Sequence, residues 1–273
     1  MMSIRTESLT LSYGKNPVIN DLKIAIPKGE ITVLIGSNGC GKSTLLRSMA
    51  RLLSPEEGSI LLNGKDIAKR STKQVAKELA ILPQGPVAPE GLTVLQLVKQ
   101  GRFPYQSWLK QWSAQDEEAV YHALEATNML QFAERSVDSL SGGQRQRAWI
   151  AMTLAQGTET ILLDEPTTYL DMTHQIEILD LLFDLNQKEQ RTIVMVLHDL
   201  NLACRYAHHL VAIQNSTVFA QGRPEDIMDE QLVSDVFRLP CKIVNDPLLG
   251  TPMCIPYGKG RTAGHGTRSA QYA

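Results

Sequence analysis

The stretch from Gly36 to Thr44, GSNGCGKST, combines the residue types that bind the phosphates of a nucleotide. Its glycines let the backbone curl so that successive N–H groups point at one anion, and the predicted helix after it adds a positive N-terminal end. Lys42 supplies a charge for the outer phosphates and Ser43 a hydroxyl for Mg²⁺, which predicts a nucleoside triphosphate site. The residues predicted to contact the nucleotide are Gly36, Ser37, Asn38, Gly39, Cys40, Gly41, Lys42, Ser43 and Thr44.

Two adjacent carboxylates, Asp164 and Glu165, follow the fully apolar run 160–163, which is short enough for a buried strand. A strand directs neighbouring side chains to opposite sides, so the two acids can take different roles. We predict that Asp164 holds the water shell of Mg²⁺ and that Glu165 is free to polarise an attacking water. Two solvated turn acids would explain the pair alone, but a phosphate loop in the same chain disfavours that interpretation.

His198 follows another apolar run, 192–197, at the point where open α/β sheets bind their ligands. A single histidine is weak evidence of function, but this placement favours a γ-phosphate contact over a hydrogen-bonded turn residue. His208 and His209 lack such a placement, and we expect them to be structural.

A second candidate anion site begins at Ser141, which opens a predicted helix about a hundred residues after the phosphate loop. Ser141 would be a good N-cap in any protein. The two glycines that follow it leave backbone amides bare at the positive end of the helix.

One aromatic side chain and one thiol near these motifs can each be interpreted in two ways. Tyr13 precedes a predicted turn at 14–17 and could stack on a nucleotide base or cover the core of an edge strand. Cys40 could be a reactive thiol at a helix N-terminus, or a small residue that fits a tight turn. The sequence leaves both pairs open.

The elements that must position these residues alternate between strands and helices, as in an α/β protein. Residues 3–12 and 18–26 have the alternation of an antiparallel edge sheet. The other predicted strands are 30–35, 58–62, 78–82, 160–163, 192–197, 211–213 and 217–220. The predicted helices are 43–53, 93–102, 114–128, 145–156, 172–190 and a short one from Pro224. The helix over 172–190 has an apolar face of Ile176, Leu179, Leu182 and Leu185.

The strand pattern disappears between Val87 and Gly157, which predicts an all-helical lobe inserted into the α/β core. Thr93 and Ser113 are its predicted helix N-caps. The lobe also concentrates four aromatic residues beside basic ones, which fits either core packing or a docking surface for a partner protein. These residues are Phe103, Tyr105, Trp108 and Trp112, with Lys99, Arg102 and Lys110.

The composition is that of an ordinary soluble globular protein of 273 residues. Its 27 basic and 29 acidic residues give a net charge of −2, which disfavours a duplex-binding nucleic-acid surface. No secretory signal or bilayer-spanning apolar run is recognisable, so we expect a cytosolic chain unless something tethers it. Four scattered cysteines are expected to be reduced thiols, and 258–273 is a Gly-rich tail expected to be disordered.

The motifs together resemble the ATP-binding subunits of ABC transporters from about residue 4 to residue 257. The most specific are LSGGQ at 140–144 and ILLDEPTTYLD at 161–171. The resemblance implies one ATPase domain over 1–257, with a phosphate-loop (RecA-like) α/β core in 1–86 and 158–257, an antiparallel β edge subdomain and the helical lobe in 87–157. It also implies ATP and Mg²⁺ as ligands.

The resemblance assigns roles to particular positions. It makes Tyr13 the base-stacking aromatic, Gln84 the lid glutamine that senses Mg²⁺, and His198 the switch histidine. Lys42, Glu165 and His198 become the catalytic set, and Ser43, Gln84 and Asp164 the metal set. Members of the family pair head to tail, so the residues expected to act on the other chain's ATP are Ser141, Gly142, Gly143, Gln144 and Asp171.

A finer resemblance, to the ATPases of bacterial ferric-siderophore importers, rests on GLTVLQLVKQGRFPYQ, DEPTTYLDMTHQIEILDLL and the late CKIVNDPLLGTPMCIP. It implies a homodimer on the cytoplasmic face of the inner membrane, a pair of transmembrane permease subunits near 103–112, and an extracytoplasmic substrate-binding protein. No nucleic acid is expected as a partner. Haem or vitamin B12 import remains an alternative, as does, less favourably, a soluble ABC-type ATPase acting on nucleic acid or the ribosome.

Overall fold

The computed structural model of the chain describes residues 1–14, 16–107 and 112–259. The strands are β1 (Met2–Tyr13), β2 (Asn16–Leu22), β3 (Ala25–Pro27), β4 (Ile31–Ile35), β5 (Glu57–Leu62), β6 (Lys65–Asp66), β7 (Leu79–Leu82), β8 (Thr160–Leu163), β9 (Thr192–Val196), β10 (His209–Gln214), β11 (Thr217–Gly222), β12 (Cys241–Asn245) and β13 (Pro252–Pro256). The α-helices are α1 (Lys42–Met49), α2 (Thr72–Val75), α3 (Val94–Gln100), α4 (Ala114–Ala126), α5 (Gly142–Ala155), α6 (Met172–Glu189), α7 (Leu200–Tyr206), α8 (Pro224–Ile227) and α9 (Glu230–Phe237).

The central sheet has the order β11-β10-β4-β9-β8-β7, and its last five strands run parallel. Every residue of β4, β8 and β9 is buried, because helices and the edge sheet cover both faces. Apolar side chains fill one core on each face. The carboxyl ends of β4, β8 and β9 therefore meet at one edge, where the phosphate loop, Asp164 and His198 begin.

The antiparallel edge sheet predicted from the N-terminal alternation is present, in the order β2-β1-β5-β6 with β3 also paired to β1. The predicted single strand over 18–26 is wrong in detail, because the chain breaks it at Lys23 and Ile24 into β2 and β3. The α/β core with an antiparallel edge and a helical insertion is confirmed as the fold class.

The segment between β7 and β8 contains α3, α4 and α5, which pack on one another. Thr93 and Ser113 are N-caps, and each forms the reciprocal hydrogen bonds of a capping box with the residue three positions later. Short 3₁₀ helices lie at Ile67–Lys69, Phe103–Tyr105, Leu130–Phe132 and Val137–Ser139. The exact domain boundaries, at 86/87, 157/158 and 257, remain a prediction.

Two regions differ from the prediction. In α6 the buried side chains include Ile178, Leu179, Leu182 and Leu185, whereas Ile176 is only half-buried and lines a surface cavity with Tyr206 and Leu248. The sequence analysis also missed α9 and the C-terminal hairpin of β12 and β13, which packs on α7. Asp246 shapes its turn by accepting hydrogen bonds from Leu248 N (2.8 Å) and Arg205 (2.6 Å).

Within the described part of the chain, no helix is both long enough and apolar enough to cross a bilayer. The expectation of disorder over 258–273 falls almost entirely on residues 260–273, outside the described residues.

Candidate functional site

The phosphate loop joins the end of β4 to the start of α1 through backbone conformations that glycine permits. Gly36 and Gly41 have φ of +149° and +105°. A Cβ on Gly36 would lie 2.3 Å from the carbonyl oxygen of Ile213, and one on Gly41 would lie 2.7 Å from Ile19 Cδ1. Neither position can accept a side chain without a clash, so the neighbouring strands fix the curl of the loop.

Lys42 is held inside this curl. Its Nζ donates to the carbonyl oxygens of Gly36 (2.8 Å) and Ser37 (2.9 Å), and the side chain is almost completely buried. The thiol of Cys40 lies 3.8 Å from the same Nζ, and a Cβ on Gly36 would come within 2.8 Å of it. Close packing therefore supports the interpretation of Cys40 as a small residue in a tight turn.

Asp164 faces the start of α1, where Ser43 Oγ donates to its Oδ1 at 2.8 Å. Its second oxygen, Oδ2, is buried and accepts no hydrogen bond from any described residue. Burial raises the pKa of Asp164 and the charge of Glu165 raises it further, while the hydrogen bond from Ser43 opposes the shift. A buried carboxylate oxygen without a partner needs a cation or a water to compensate it.

The pair of Ser43 and Asp164 fits a Mg²⁺ site. Mg²⁺ commonly uses one or two carboxylates and completes its shell with waters and substrate phosphates. No group of three or more His, Cys, Asp or Glu side chains among residues 1–14, 16–107 and 112–259 could hold a metal ion. A hard cation here would therefore depend on the phosphates of a nucleotide for the rest of its ligands.

Glu165 stands at the centre of a hydrogen-bonded cluster. Its Oε1 lies 2.7 Å from His198 Nε2, and its Oε2 accepts from Gln84 Nε2 (2.6 Å) and Thr168 Oγ1 (2.9 Å). Burial would raise the pKa of Glu165, but the hydrogen bonds from His198 and Thr168 outweigh it and lower the pKa below its usual value. Glu165 is therefore a carboxylate at neutral pH, as a general base must be.

The cluster holds Glu165 firmly in place. Three donors contact its carboxylate, and the residue adopts a left-handed φ of +53°. Its role in polarising an attacking water stays a prediction. Thr168 was missed by the sequence analysis. Its position three residues after Glu165, within the turn 164–168, is the signal that could have identified it.

The loop, Glu165 and its partners enclose one cavity of ≈ 550 Å³. Its lining residues are Val18, Asn38, Gly39, Gly41, Lys42, Ser43, Thr44, Gln84, Glu165, Thr168, Tyr169 and His198. Tyr13 lies at the end of β1 and is 48% exposed, which argues against a role in covering the core. Its stacking on a base remains a prediction.

The second candidate anion site is well formed but separate. Ser141 caps α5, its Oγ accepting from Gln144 N at 3.3 Å, and Gln144 Oε1 accepts from Ser141 N at 3.1 Å. Asp171 caps α6 in the same way, through His174 N at 2.9 Å. These residues are absent from the lining of the cavity around Lys42.

The aromatic residues of the helical lobe divide into two groups. Arg102 is buried, donates to Asp116 Oδ1 at 2.9 Å and stacks on Tyr105 at 3.8 Å, so this part of the expected surface patch is internal structure. Phe103 is 77% exposed, and Trp112 is partly exposed beside Lys99. Trp108 and Lys110, which were predicted to belong to the same patch, lie outside the described residues.

Replacing Asp164 by Asn is expected to stabilise the isolated protein while weakening its response to Mg²⁺ and ATP. The pKa of this acid is raised, so the folded protein loses stability as pH rises from the unfolded value of about 4 through the raised one. The gain in folding stability of Asp164→Asn over the parent should therefore be present at pH 7 and absent at low pH. We expect the Tm of Asp164→Asn at pH 7 to exceed that of the parent, and the two Tm values to converge at low pH, where Asp164 is protonated in both the folded and the unfolded state.

Thermal unfolding with and without Mg²⁺ and ATP measures both effects. Asp184→Asn, on the exposed side of α6 where Asp184 pairs with Lys188, is the matched control and should change neither. A lower Tm for Asp164→Asn, or stabilisation by Mg²⁺ and ATP equal to that of the parent, would contradict this account of the site.

The chain was compared with known proteins. The sequence pattern of the family described as ABC transporter matches residues 19–168. The petrobactin import ATP-binding protein FpuD of Bacillus anthracis is 70% identical over 259 residues, 95% of this chain and 95% of that protein. The iron(3+)-hydroxamate import ATP-binding protein FhuC of Bacillus subtilis (strain 168) is 52% identical over 257 residues, 94% of this chain and 96% of that protein.

Solved structures with a similar fold are also ABC transporter proteins. One, described as an inward-facing conformation of a metal-chelate type ABC transporter, has a TM-score of 0.82 at 28% identity and covers 95% of this chain and 99% of that chain. The dimeric structure of MJ0796, a bacterial ABC transporter cassette, has a TM-score of 0.71 at 27% identity and covers 81% of this chain and 98% of that chain.

Proposed function

The chain belongs to the ABC transporter family as an ATP-binding subunit, and on this premise we propose that it hydrolyses ATP to drive the import of ferric siderophores. One observation carries the hydrolytic part: Glu165 is held as a carboxylate at the edge of the cavity that contains Lys42. The substrate class is supported by relatives whose names specify petrobactin and iron(3+)-hydroxamate import. Haem and vitamin B12 remain alternatives for the transported compound.

The residues of the cavity divide the work of hydrolysis. The amides of the phosphate loop and the start of α1 bind the outer phosphates of ATP, and Lys42 Nζ exchanges its two carbonyl partners for phosphate oxygens. Ser43 and Asp164 would hold Mg²⁺, with Gln84 beside it, and the ion would neutralise charge that develops on the phosphates. His198 lines the same cavity, and we assign it a contact with the γ-phosphate.

Glu165 orients and polarises the attacking water. Because His198, Gln84 and Thr168 fix the carboxylate from two sides, little reorganisation is needed before the water attacks. Gln84 and His198 leave the ends of β7 and β9, whereas Glu165 follows β8 between them. Binding of nucleotide at the loop can therefore alter the contacts of the base directly.

Two copies of the chain act together in this proposal. Among the described residues, the signature residues Ser141 to Gln144 and Asp171 do not line the cavity of their own chain, and in this proposal another chain brings such residues to the nucleotide. A head-to-tail dimer does this, and it places the Gly142 and Gly143 amides and the positive end of α5 on the γ-phosphate. The dimeric cassette structure of MJ0796 supports a pair of subunits.

A second cavity, of ≈ 300 Å³, fits the permease. It lies between the core and the helical lobe, where Leu52, Phe103 and Pro104 line it, and Leu52 and Phe103 are largely exposed. Exposed apolar side chains around a concave surface are typical of a protein docking site. We assign this cavity to the cytoplasmic loops of transmembrane permease subunits, which hold the ATPase peripherally at the bacterial inner membrane. An extracytoplasmic binding protein would deliver the substrate.

Phe103→Glu is expected to uncouple transport while sparing the ATPase activity of the isolated subunit. The charge replaces an apolar anchor at the docking cavity, and Phe103 is not among the residues that line the ATP cavity. We expect permease affinity to fall by about tenfold or more, as for a buried aromatic anchor. Co-purification with the permease and substrate uptake measure the effect, and Tyr121→Glu on α4 is the control. Unchanged uptake would contradict docking at this cavity.

Uptake in a strain lacking the subunit tests the substrate class. We expect accumulation of ⁵⁵Fe from ferric siderophores to be lost, to return with the parent chain and not to return with Glu165→Gln. Uptake of haem and vitamin B12, measured in parallel, should be unaffected. Loss of haem or vitamin B12 uptake with siderophore uptake intact would reject the proposed substrate class but not the ATPase.

A further inference from the structure

Gly143 of the signature segment lies directly against the imidazole of His174, a residue of α6. A Cβ on Gly143 would lie 2.3 Å from His174 Cδ2, 2.9 Å from Cγ and 3.1 Å from Nε2, and these are its three nearest neighbours. The φ of Gly143 is not in the left-handed region. The histidine ring, and not the backbone conformation, therefore excludes a side chain at this position.

The same ring is bonded on its other side to Asp171. His174 Nδ1 lies 2.7 Å from Asp171 Oδ1, which also accepts the backbone N–H of His174 at 2.9 Å. These hydrogen bonds lower the pKa of Asp171 and keep it a carboxylate. Leu170, next to Asp171, lies near the neighbouring glycine, because its Cδ2 would be 3.7 Å from a Cβ added to Gly142.

An ordinary helix cap does not explain the ring. Capping of α6 needs only the Asp171 carboxylate and a backbone N–H, and both would remain with any side chain at position 174. The imidazole adds a packing contact with Gly143 and a hydrogen bond with the Asp171 side chain. The imidazole therefore links Gly143 to Asp171. In the proposed dimer, both of these residues face the partner's nucleotide.

We propose that His174 is a positioning residue that ties the signature segment to Asp171, so that both reach the partner's ATP as one rigid unit. This inference rests on the proposed head-to-tail dimer and adds to it a residue outside the predicted site. His174 does not contact the nucleotide in this proposal. It acts by fixing the distance between Gly143 and Asp171, which lowers the cost of ordering them when two chains close on ATP.

A double-mutant cycle tests whether His174 links Gly143 to Asp171. It is carried out in the Glu165→Gln background, where ATP-bound dimers should accumulate. Sedimentation velocity gives the dimer dissociation constant with ATP, and nucleotide binding measured below that concentration reports on the single chain. His174→Phe keeps a ring but removes the bond to Asp171, and we expect about tenfold weaker dimerisation. Gly143→Ala should weaken it by at least about tenfold, because the methyl group must displace the ring.

The variant that combines Gly143→Ala with His174→Ala shows whether the two residues act together or affect dimerisation independently. With His174→Ala the obstacle to a methyl group is gone, so Gly143→Ala combined with it should match His174→Ala alone within about twofold. Nucleotide binding by the single chain should stay at the parental level in His174→Phe and His174→Ala. Additive losses in the combined variant, or parental dimerisation by both His174→Phe and His174→Ala, would overturn the proposal.

Mixed dimers test whether His174 serves the partner's pocket. In a dimer with one Lys42→Ala copy, the only working pocket combines the other copy's Lys42 with the defective copy's signature segment. His174→Phe on the Lys42→Ala copy should therefore lower ATPase kcat/KM by about tenfold, whereas on the other copy it should have no effect. Equal effects from both placements would overturn the proposal.

Two controls keep the outcome interpretable. The first is His122→Ala, which removes an exposed histidine of α4 that lies 3.9 Å from Glu189 and should leave dimerisation unchanged. If the Glu165→Gln parent itself stays monomeric with ATP, the proposed dimer fails. If the parent dimerises and the His174 variants equal it, only the positioning role fails.

Discussion

Glu165→Gln is expected to retain ATP binding and to lose ATP turnover by roughly 10²–10⁴-fold, as for removal of a positioned general base. Glutamine can still accept a hydrogen bond from His198, so the local structure should persist. It cannot accept a proton from the attacking water. ATP would then stay intact between two subunits, and the variant should accumulate as a nucleotide-bound dimer.

Single-turnover hydrolysis and size measurements with ATP check this expectation. The matched control is Glu159→Gln, which removes the charge of an exposed glutamate that pairs with Lys28, and it should hydrolyse ATP at the parental rate. Near-parental turnover by Glu165→Gln would remove Glu165 from the role of base. A loss of ATP binding would instead indicate that the substitution disturbs the phosphate loop.

Subunits defective at Lys42 and subunits defective at Ser141 are expected to restore activity when mixed. A Lys42→Ala homodimer lacks the lysine in both pockets, and a Ser141→Arg homodimer blocks the signature segment of both. A mixed dimer combines the two defects in one pocket and leaves the other pocket intact. Random pairing at equal concentrations makes half of the dimers mixed, so we expect about a quarter of parental ATPase activity.

ATPase assays of each variant alone and of the mixture measure this complementation. Lys42→Ala by itself should also weaken ATP binding, because the buried Lys42 ammonium that lines the cavity is lost. Mixing Lys42→Ala with Glu165→Gln is the control, since both defects lie on the same side of the composite pocket and activity should stay absent. No recovery in the first mixture would reject a pocket built from two chains.

Local sequence determined a large part of this site. The phosphate loop could be predicted because glycine and lysine at fixed spacing specify both its backbone conformation and its charge. The N-caps at Thr93, Ser113 and Ser141 were predictable for a similar reason, since each bonds a residue three positions later. Interactions of such short range depend on the geometry of one element and need no knowledge of the fold.

Burial was less predictable, because periodicity identifies the apolar face of a helix without its limits. Ile176 and Ile178 are both apolar residues near the start of α6, and packing in the tertiary structure buries only the second. Arg102 looked like part of a basic surface, yet Asp116 and the end of α5 enclose it. The exposure of Tyr13 likewise depends on the pairing of β1 with β2, which the sequence does not specify.

The sequence alone determined the phosphate loop, the helix caps, the main strands and helices of the α/β core, and the identity of the acids and the histidine at the strand ends. Only the tertiary structure decided that Gln84, Glu165 and His198 touch, and that Gly143 packs on His174. These partners lie far apart in the chain, so their contact depends on which strands are neighbours in the sheet and how the helices pack. Hydrophobic periodicity reports that a strand or helix is buried, but it carries no information about the element beside it.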